Sequence, residues 1–349
     1  DFYGILVDLI TVTTSHIVYV DDDFNSSTPG WQYDHFDVIQ DGIDAVPENG
    51  TVYVYNGTYY EHLYINRSLD LVGENKNSCI INGNETGTII TLNKDHVNIT
   101  GFTFLSSGDS EYPDFDAAIN IQANHTTISN SFFWNHTLGI RDYLFPGTTD
   151  IIIENNTFQN VSNYAIHLKM VDNCTIKHNS ISDSGDGIKL SSYSYDNIIF
   201  NNSLQDLTRY HGILLDTSFK NQVTDNIIIS CPNGIELSAP GRPTDYNHIG
   251  QNQMSNCYAG IVLNYASNNT VFENHMNNNS YGLYSTQYCY NNTIYRNNFV
   301  DNLLSVYDEE SNQWNMNYPI GGNYFDNYTG LDKYHGVDQN MLGSDGIGD

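Results

Sequence analysis

Arg141, His167 and Lys189 carry the chemistry that stands out first in this 349-residue chain. Each directly follows a small–aliphatic pair: Gly139-Ile140, Ala165-Ile166 and Gly187-Ile188. Strands stacked in register on those pairs would set the three side by side. The chain holds 12 Lys and Arg against 41 Asp and Glu, a net charge of −29. A basic cluster in so acidic a chain could hold the carboxylate of an anionic sugar, or take a proton from carbon. Lys169, two residues past His167, would add to it. The plainer alternative, which the sequence favours, is a solvated face with compensating charge.

Other constellations are thinner. Asp183 and Asp186 flank Ser184-Gly185, with Asp216 further on. Grouped carboxylates can hydrolyse glycosidic bonds, but no paired-Asp strand motif is present. Asp142 and Asp216 lie near the basic row without forming a compact calcium triad. Asp21, Asp22 and Asp23, together with Asp345 and Asp349 in the Asp/Gly tail, offer oxygen ligands without EF-hand spacing. Calcium is thus the only cofactor expected, if there is one. Tyr258, Tyr281 and Tyr284 belong to a tyrosine-rich stretch whose rings suit sugar stacking or a flat protein interface. Five cysteines show no CxxC or CxxH pairing, which disfavours a zinc site. Cys231 and Cys257 each lie three residues before a repeated glycine, so they face each other as stacked thiols or, less favoured, as a disulfide. About sixteen Asn-X-Ser/Thr sequons, among them Asn25, Asn56, Asn66, Asn84, Asn135, Asn160 and Asn327, point to an exported, glycosylated protein.

The elements that position these residues come from repetition. An aliphatic residue, usually an asparagine three residues on, and an apolar residue two further recur from positions 99, 128, 153, 176, 199, 223, 249, 271 and 294. Such a period of short β-type segments marks a solenoid. The small–aliphatic pair runs in step with it, and Asn197, Asn221, Asn247, Asn269 and Asn292 precede the later copies by two residues. Each period therefore predicts two or three short strands that pair in parallel with their copies one coil away. Asn156, Asn179, Asn202, Asn226, Asn252, Asn274 and Asn297 would line one bend, each amide bonding the next and the turn backbone. Residues 35–46 place Phe36, Ile39, Ile43 and Val46 on one helical face, predicting a cap over the first coil before Pro47.

The segment Ile39-Gln-Asp-Gly-Ile-Asp-Ala-Val46, then Val52-Tyr-Val-Tyr-Asn-Gly-Thr58 and Leu71-Val-Gly73, resembles the start of the right-handed parallel β-helix family. That family includes pectin-lyase-like folds and the NosD-like repeat proteins of archaea and bacteria. The tail from Gly322-Asn-Tyr-Phe-Asp326 to Gly346-Ile-Gly-Asp349 resembles the end of archaeal NosD-like surface proteins. The resemblance implies an all-β, right-handed parallel β-helix of about eleven coils. It also brings copper-site assembly to mind, but the 12 His are scattered with no HxxxH, and Met254 and Met276 sit at inward repeat positions. Lyases of that family use a Lys or Arg base, which marks Lys189 and Arg141. The expected division is an N-terminal extension with a β-strand (1–34), the β-helix (35–310) and an irregular C-terminal segment (311–349).

Charge of this sign disfavours nucleic acid and anionic membrane surfaces as partners, and no stretch is apolar enough to span a bilayer. The absence of an initiator Met is expected to reflect a removed signal peptide. Regular repeats, many sequons and no assembled catalytic set together lean away from an enzyme. The leading expectation is a secreted, glycosylated cell-surface structural protein that assembles with copies of itself into an envelope layer, sheath or filament. A glycan-binding adhesin is second, with surface polysaccharide as partner. A polysaccharide lyase acting on an acidic glycan is third. The segment Ile5 to Val20 is expected to add as a strand to a neighbouring subunit.

Overall fold

A computed structural model describes residues 16–110, 115–143, 145–239, 242, 244–317, 319–330, 333–335 and 341–343. Its backbone winds through three parallel sheets of 13, 12 and 11 strands. The first runs from His35–Phe36, through Ile17–Val20, to Thr293–Tyr295, the second from Gly57–Tyr59 to Tyr324–Phe325, and the third from Leu63–Ile65 to Leu304–Asp308. Each coil supplies one strand to each sheet, and each strand pairs in register with its copy above and below. Ile153, Ile176, Ile199, Val223, Ile249, Val271 and Ile294 therefore stack in the first sheet. The eleven strands of the third sheet correspond to the eleven coils that the repeats imply.

Alternation sends the aliphatic residues inward, where they are fully buried. Where coils carry phenylalanine the rings stack, Phe104 on Phe133 at 4.9 Å and Phe133 on Phe158 at 4.5 Å. The repeated small residue has a steric cause. A β-carbon on Gly187 would lie 2.2 Å from the Gly212 carbonyl oxygen and 2.4 Å from Leu204.

The asparagines close the bend between the first and second sheets. Asn179 donates its Nδ2–H to the carbonyls of Ile153 and to Asn202 Oδ1, and Asn202 Oδ1 also accepts the Asn179 backbone N–H at 2.9 Å. The same pattern carries on to Asn297 and then to Asn323. A second ladder, Asn197 to Asn292, lies at the bend before the first sheet and ends on Asn312. Both ladders thus reach into the segment after residue 310, where Tyr324–Phe325 also pairs with Asn298–Phe299.

The N-terminal end differs from expectation. His35–Phe36 is a strand, paired with Tyr19–Val20, and the helix α1 spans only Ile39–Ala45. Phe36 is buried by strand pairing, so it does not need a helical face. Glu61 replaces a local cap: its carboxylate accepts the N–H groups of Ile39 and Gln40 at 2.8 and 3.0 Å. Ile39, Ile43 and Val46 remain fully buried over the first coil. The strand Ile17–Val20 lies inside the first sheet, between His35–Phe36 and Thr51–Val54. Tyr19 and Val20 are thus paired on both sides, so this half of the strand offers a neighbour no free edge. Residues 1–15 lie outside the described residues.

Candidate functional site

The predicted row forms on the third sheet. Asn120, Arg141, His167, Lys189, Leu214, Glu236, Val262, Tyr284 and Tyr307 are successive register partners. Arg141 stands over the Tyr143 ring at 5.3 Å. Both His167 nitrogens are hydrogen-bonded, Nδ1 with the Tyr143 hydroxyl at 2.8 Å and Nε2 with Ser191 Oγ at 3.0 Å, one donating and the other accepting. Burial, with Lys189 and Lys169 adding to it, lowers the His167 pKa to about 3, so the ring is neutral. Lys189 pairs with Asp216 at 3.1 Å and lies 5.5 Å from the Tyr164 ring centroid. So placed, it is suited to gripping a carboxylate. Asp142 does not face this row. It occupies the inward position of Leu168 and is fully buried, bonded by the Thr148 hydroxyl.

One residue ahead of each repeated small residue lies a second row, where Asp186, named from the sequence only beside Asp183 and Asp216, meets a partner the sequence reading missed, His211. Tyr164, Asp186, His211 and Asn233 occupy it. His211 bridges two carboxylates, with Nδ1 3.5 Å from Asp186 Oδ1 and Nε2 3.2 Å from Glu236 Oε2. Asp186 Oδ1 also accepts the N–H groups of Tyr210 and His211 at 2.8 and 2.7 Å. Glu236 accepts from Asn233 Nδ2 at 2.8 Å. Burial works against the His211 charge, but hydrogen bonds and attraction from both carboxylates prevail and lift its pKa to about 9. Asp186 and Glu236 are held below their ordinary values, because their bonds to His211 outweigh burial. The cluster is therefore ionised at neutral pH. Arg209 Nε approaches Asp186 Oδ2 at 3.8 Å. Asp186 Oδ2 and His211 Nδ1 are buried with only these longer ion-pair contacts, at 3.8 and 3.5 Å, and no hydrogen bond of ordinary length. Register reasoning applied one residue before Gly187 and Gly212 would have brought Asp186 beside His211.

The tyrosines continue the same sheet. Tyr258 meets Tyr281 edge-on at 5.3 Å, Tyr281 meets Tyr284 at 4.9 Å, and Tyr284 stacks on Tyr307 at 5.0 Å. Elsewhere, the ligand oxygens of Asp21, Asp22 and Asp23 come within 4.8 Å of one another at the opposite end. Two of these carboxylates already take backbone N–H groups, from Asp23 and Thr58. Asp345 and Asp349 lie outside the described residues. The sequon residues Asn25, Asn56, Asn66, Asn84, Asn135, Asn160 and Asn327 are exposed. All five cysteines are buried free thiols, and burial pushes Cys231 up to about 12 and Cys257 up to about 11.

Residues 192–330 match a family described as periplasmic copper-binding protein (NosD), and residues 117–249 match the right handed beta helix region. No curated protein sequence matches the chain. Solved structures share the fold at low identity. The A-module of the mannuronan C-5 epimerase AlgE6 from Azotobacter vinelandii is 14% identical with a TM-score of 0.56, over 82% of this chain and 93% of that one. An exopolygalacturonase from Thermotoga maritima is 10% identical with a TM-score of 0.58, over 72% and 80%. The catalytic domain of a GH87 alpha-1,3-glucanase, solved with tetrasaccharides, is 11% identical with a TM-score of 0.61, over 89% and 68%. Copper prefers imidazole, thiolate and thioether donors. Among the described residues the one set of three His, Cys, Asp or Glu side chains whose ligand atoms all lie within 4.8 Å of one another is the all-oxygen Asp21–Asp23 set, while the thiols, Met254 and Met276 are buried in the core. The described residues do not fit copper. Also among them, no helix is long and apolar enough to cross a membrane.

Proposed function

We propose that this right-handed parallel β-helix repeat protein acts on an acidic polysaccharide laid along its third sheet, by acid–base cleavage of the lyase type. One observation carries the reading: His211 held between Asp186 and Glu236 on an outer face, with buried Asp186 Oδ2 making no hydrogen bond. Burying three charges costs several kcal/mol per ion in the absence of compensation. A purely structural coil would gain more from the apolar residues used in this row elsewhere, such as Ala259.

The roles follow from charge. Elimination from a uronic acid needs a cation on the carboxylate, an acid for the leaving oxygen and a base for the proton on the adjacent carbon. Lys189, and Arg209 one coil away, supply the cation. The ionised Asp186, through Oδ2, takes the proton from the carbon beside the carboxylate, His211, protonated at neutral pH, gives its proton to the leaving glycosidic oxygen, and Glu236 holds the ring in place. Tyr258, Tyr281, Tyr284 and Tyr307 offer stacking surfaces further along the same polymer track. This joins the second and third expectations, since one face both binds and cleaves. The structural neighbours, which are polysaccharide-acting enzymes by name, support it over the envelope-building expectation. The periplasmic description of the matching family and the exposed sequons support work outside the cytoplasm.

The test is turnover of alginate, polygalacturonate and neutral glucan, followed by ultraviolet absorbance of unsaturated ends and by reducing-end release. Cleavage of an acidic polymer that falls at least a hundredfold in both His211→Gln and Lys189→Ala is the expected result. Equal rates for wild type and His211→Gln, or neither binding nor cleavage of any acidic polymer, would sink the proposal.

A further inference from the structure

The chain carries 41 Asp and Glu, yet its second sheet carries none, and no Lys or Arg either. The strands Gly57–Tyr59, Cys79–Asn82, Thr103–Leu105, Phe132–His136, Thr157–Val161, Ser180–Ser182, Ser203–Gln205, Ile227–Ile229, Gln253–Ser255, His275–Asn277, Asn298–Val300 and Tyr324–Phe325 contain no carboxylate, ammonium or guanidinium group. The third sheet bears the charged cluster, and the first bears the Glu154–Lys177 pair. The acidic residues next to the second sheet, such as Asp183, Asp206 and Asp301, sit in its bordering turns. Trp134 and Ile227 project from this face, 45% and 40% exposed.

We infer that the outer face of the second sheet is the contact between two copies of this chain. Long-range repulsion between two bodies of charge −29 opposes any contact that brings acidic surfaces together, so the partner must meet this chain where both are uncharged. A second copy presents the identical neutral face, and a two-fold axis matches it to itself. The area is adequate. Twelve strands at a spacing of about 4.8 Å, each about 10 Å long, give roughly 500 Å² per copy before side-chain relief, so two copies reach the ~1,000 Å² that a specific interface needs. Trp134 and Ile227 supply apolar anchors. The contact leaves the third sheet free.

Sedimentation of the full chain across a hundredfold concentration range bracketing the micromolar region tests this. The expected result is a monomer–dimer equilibrium that strengthens as salt screens the net charge, with Trp134 emission shifting to the blue on association. Ser203→Glu and Ile227→Asp, both at outward positions, should weaken dimerisation at least tenfold. Gln222→Glu on the first sheet should leave it unchanged. A monomer at every concentration and salt overturns the inference. So does a dimer indifferent to Ser203→Glu and Ile227→Asp, or a monomer whose second sheet instead binds a neutral polysaccharide. Because the readout is mass, its failure is separate from failure of the catalytic proposal.

Discussion

His167 and His211 stand two coils apart on one sheet, and at neutral pH one is neutral and the other positively charged. Burial and two lysines strip the proton from one, while two carboxylates hold it on the other. The consequence for stability has opposite signs. His211, raised from 6.5 to about 9, contributes stability that is complete below the unfolded value and is lost as pH rises through 9. His167 and the buried His136, lowered to about 3 and about 4, contribute stability that is complete above the unfolded value. That contribution is lost as pH falls through those values. Thermal unfolding should thus show a maximum near pH 6.5, the unfolded value, with a fall on each side. His211→Gln should flatten the alkaline arm in a melting series from pH 7 to 10. His211→Ala should also cost roughly 3–5 kcal/mol in urea denaturation, because it leaves Asp186 buried without its counter-charge.

At the scale of elements, the asparagine ladders do the work of closing the bends. Asn202 joins Asn179, Asn226 and the carbonyls of Ile176 and Phe200. Asn202→Ala strands several of these groups inside the protein, and a loss of roughly 2–5 kcal/mol is expected from the urea midpoint. Asn323→Ala, at the half-exposed end of the same ladder, should cost about 1 kcal/mol, since water replaces its partners. The same bends explain the sequon density. Asn155, Asn201, Asn268 and Asn291 sit at φ between 54° and 57° immediately before a ladder asparagine. Asparagine tolerates that left-handed conformation, the ladder needs the next asparagine, and Ser or Thr begins the strand. Asn-Asn-Ser/Thr is therefore written by the turn, whether or not a sugar is attached. Glycan mapping should find occupancy first at Asn25, Asn66 and Asn327, outside the ladder turns.

At the scale of the molecule, each coil bonds chiefly to its neighbours, so stability is close to a sum of coils and interfaces. Removing residues 249–270 would join His248 to Val271, the same position of the next repeat, and set Asn274 where Asn252 lies. A β-rich, cooperatively folded protein with a lower melting temperature is expected from circular dichroism. Removing only residues 249–259 breaks all three registers and should abolish the transition. Charge follows the same geometry: the faces are sorted into one charged, one nearly neutral and one wholly uncharged.

Sequence alone determined the winding, because a solenoid repeats locally. Ile176, Asn179 and Ile181 recur as Ile199, Asn202 and Leu204, and only stacking can bury such short strands. It also brought Arg141, His167 and Lys189 together, since in-register pairing follows directly from the period. It did not reveal what those side chains would be bonded to. The Asp186–His211–Glu236 bridge joins three coils and two rows, and the partial charges, burial and unfilled bonds at that place exist only once the coils are stacked. The shortened helix has the same cause: Phe36 found its burial in a strand pair with Val20, a contact that local periodicity cannot register. Tertiary structure decided the site because ionisation there is set by neighbours about 25 residues away in the chain and one coil away in space.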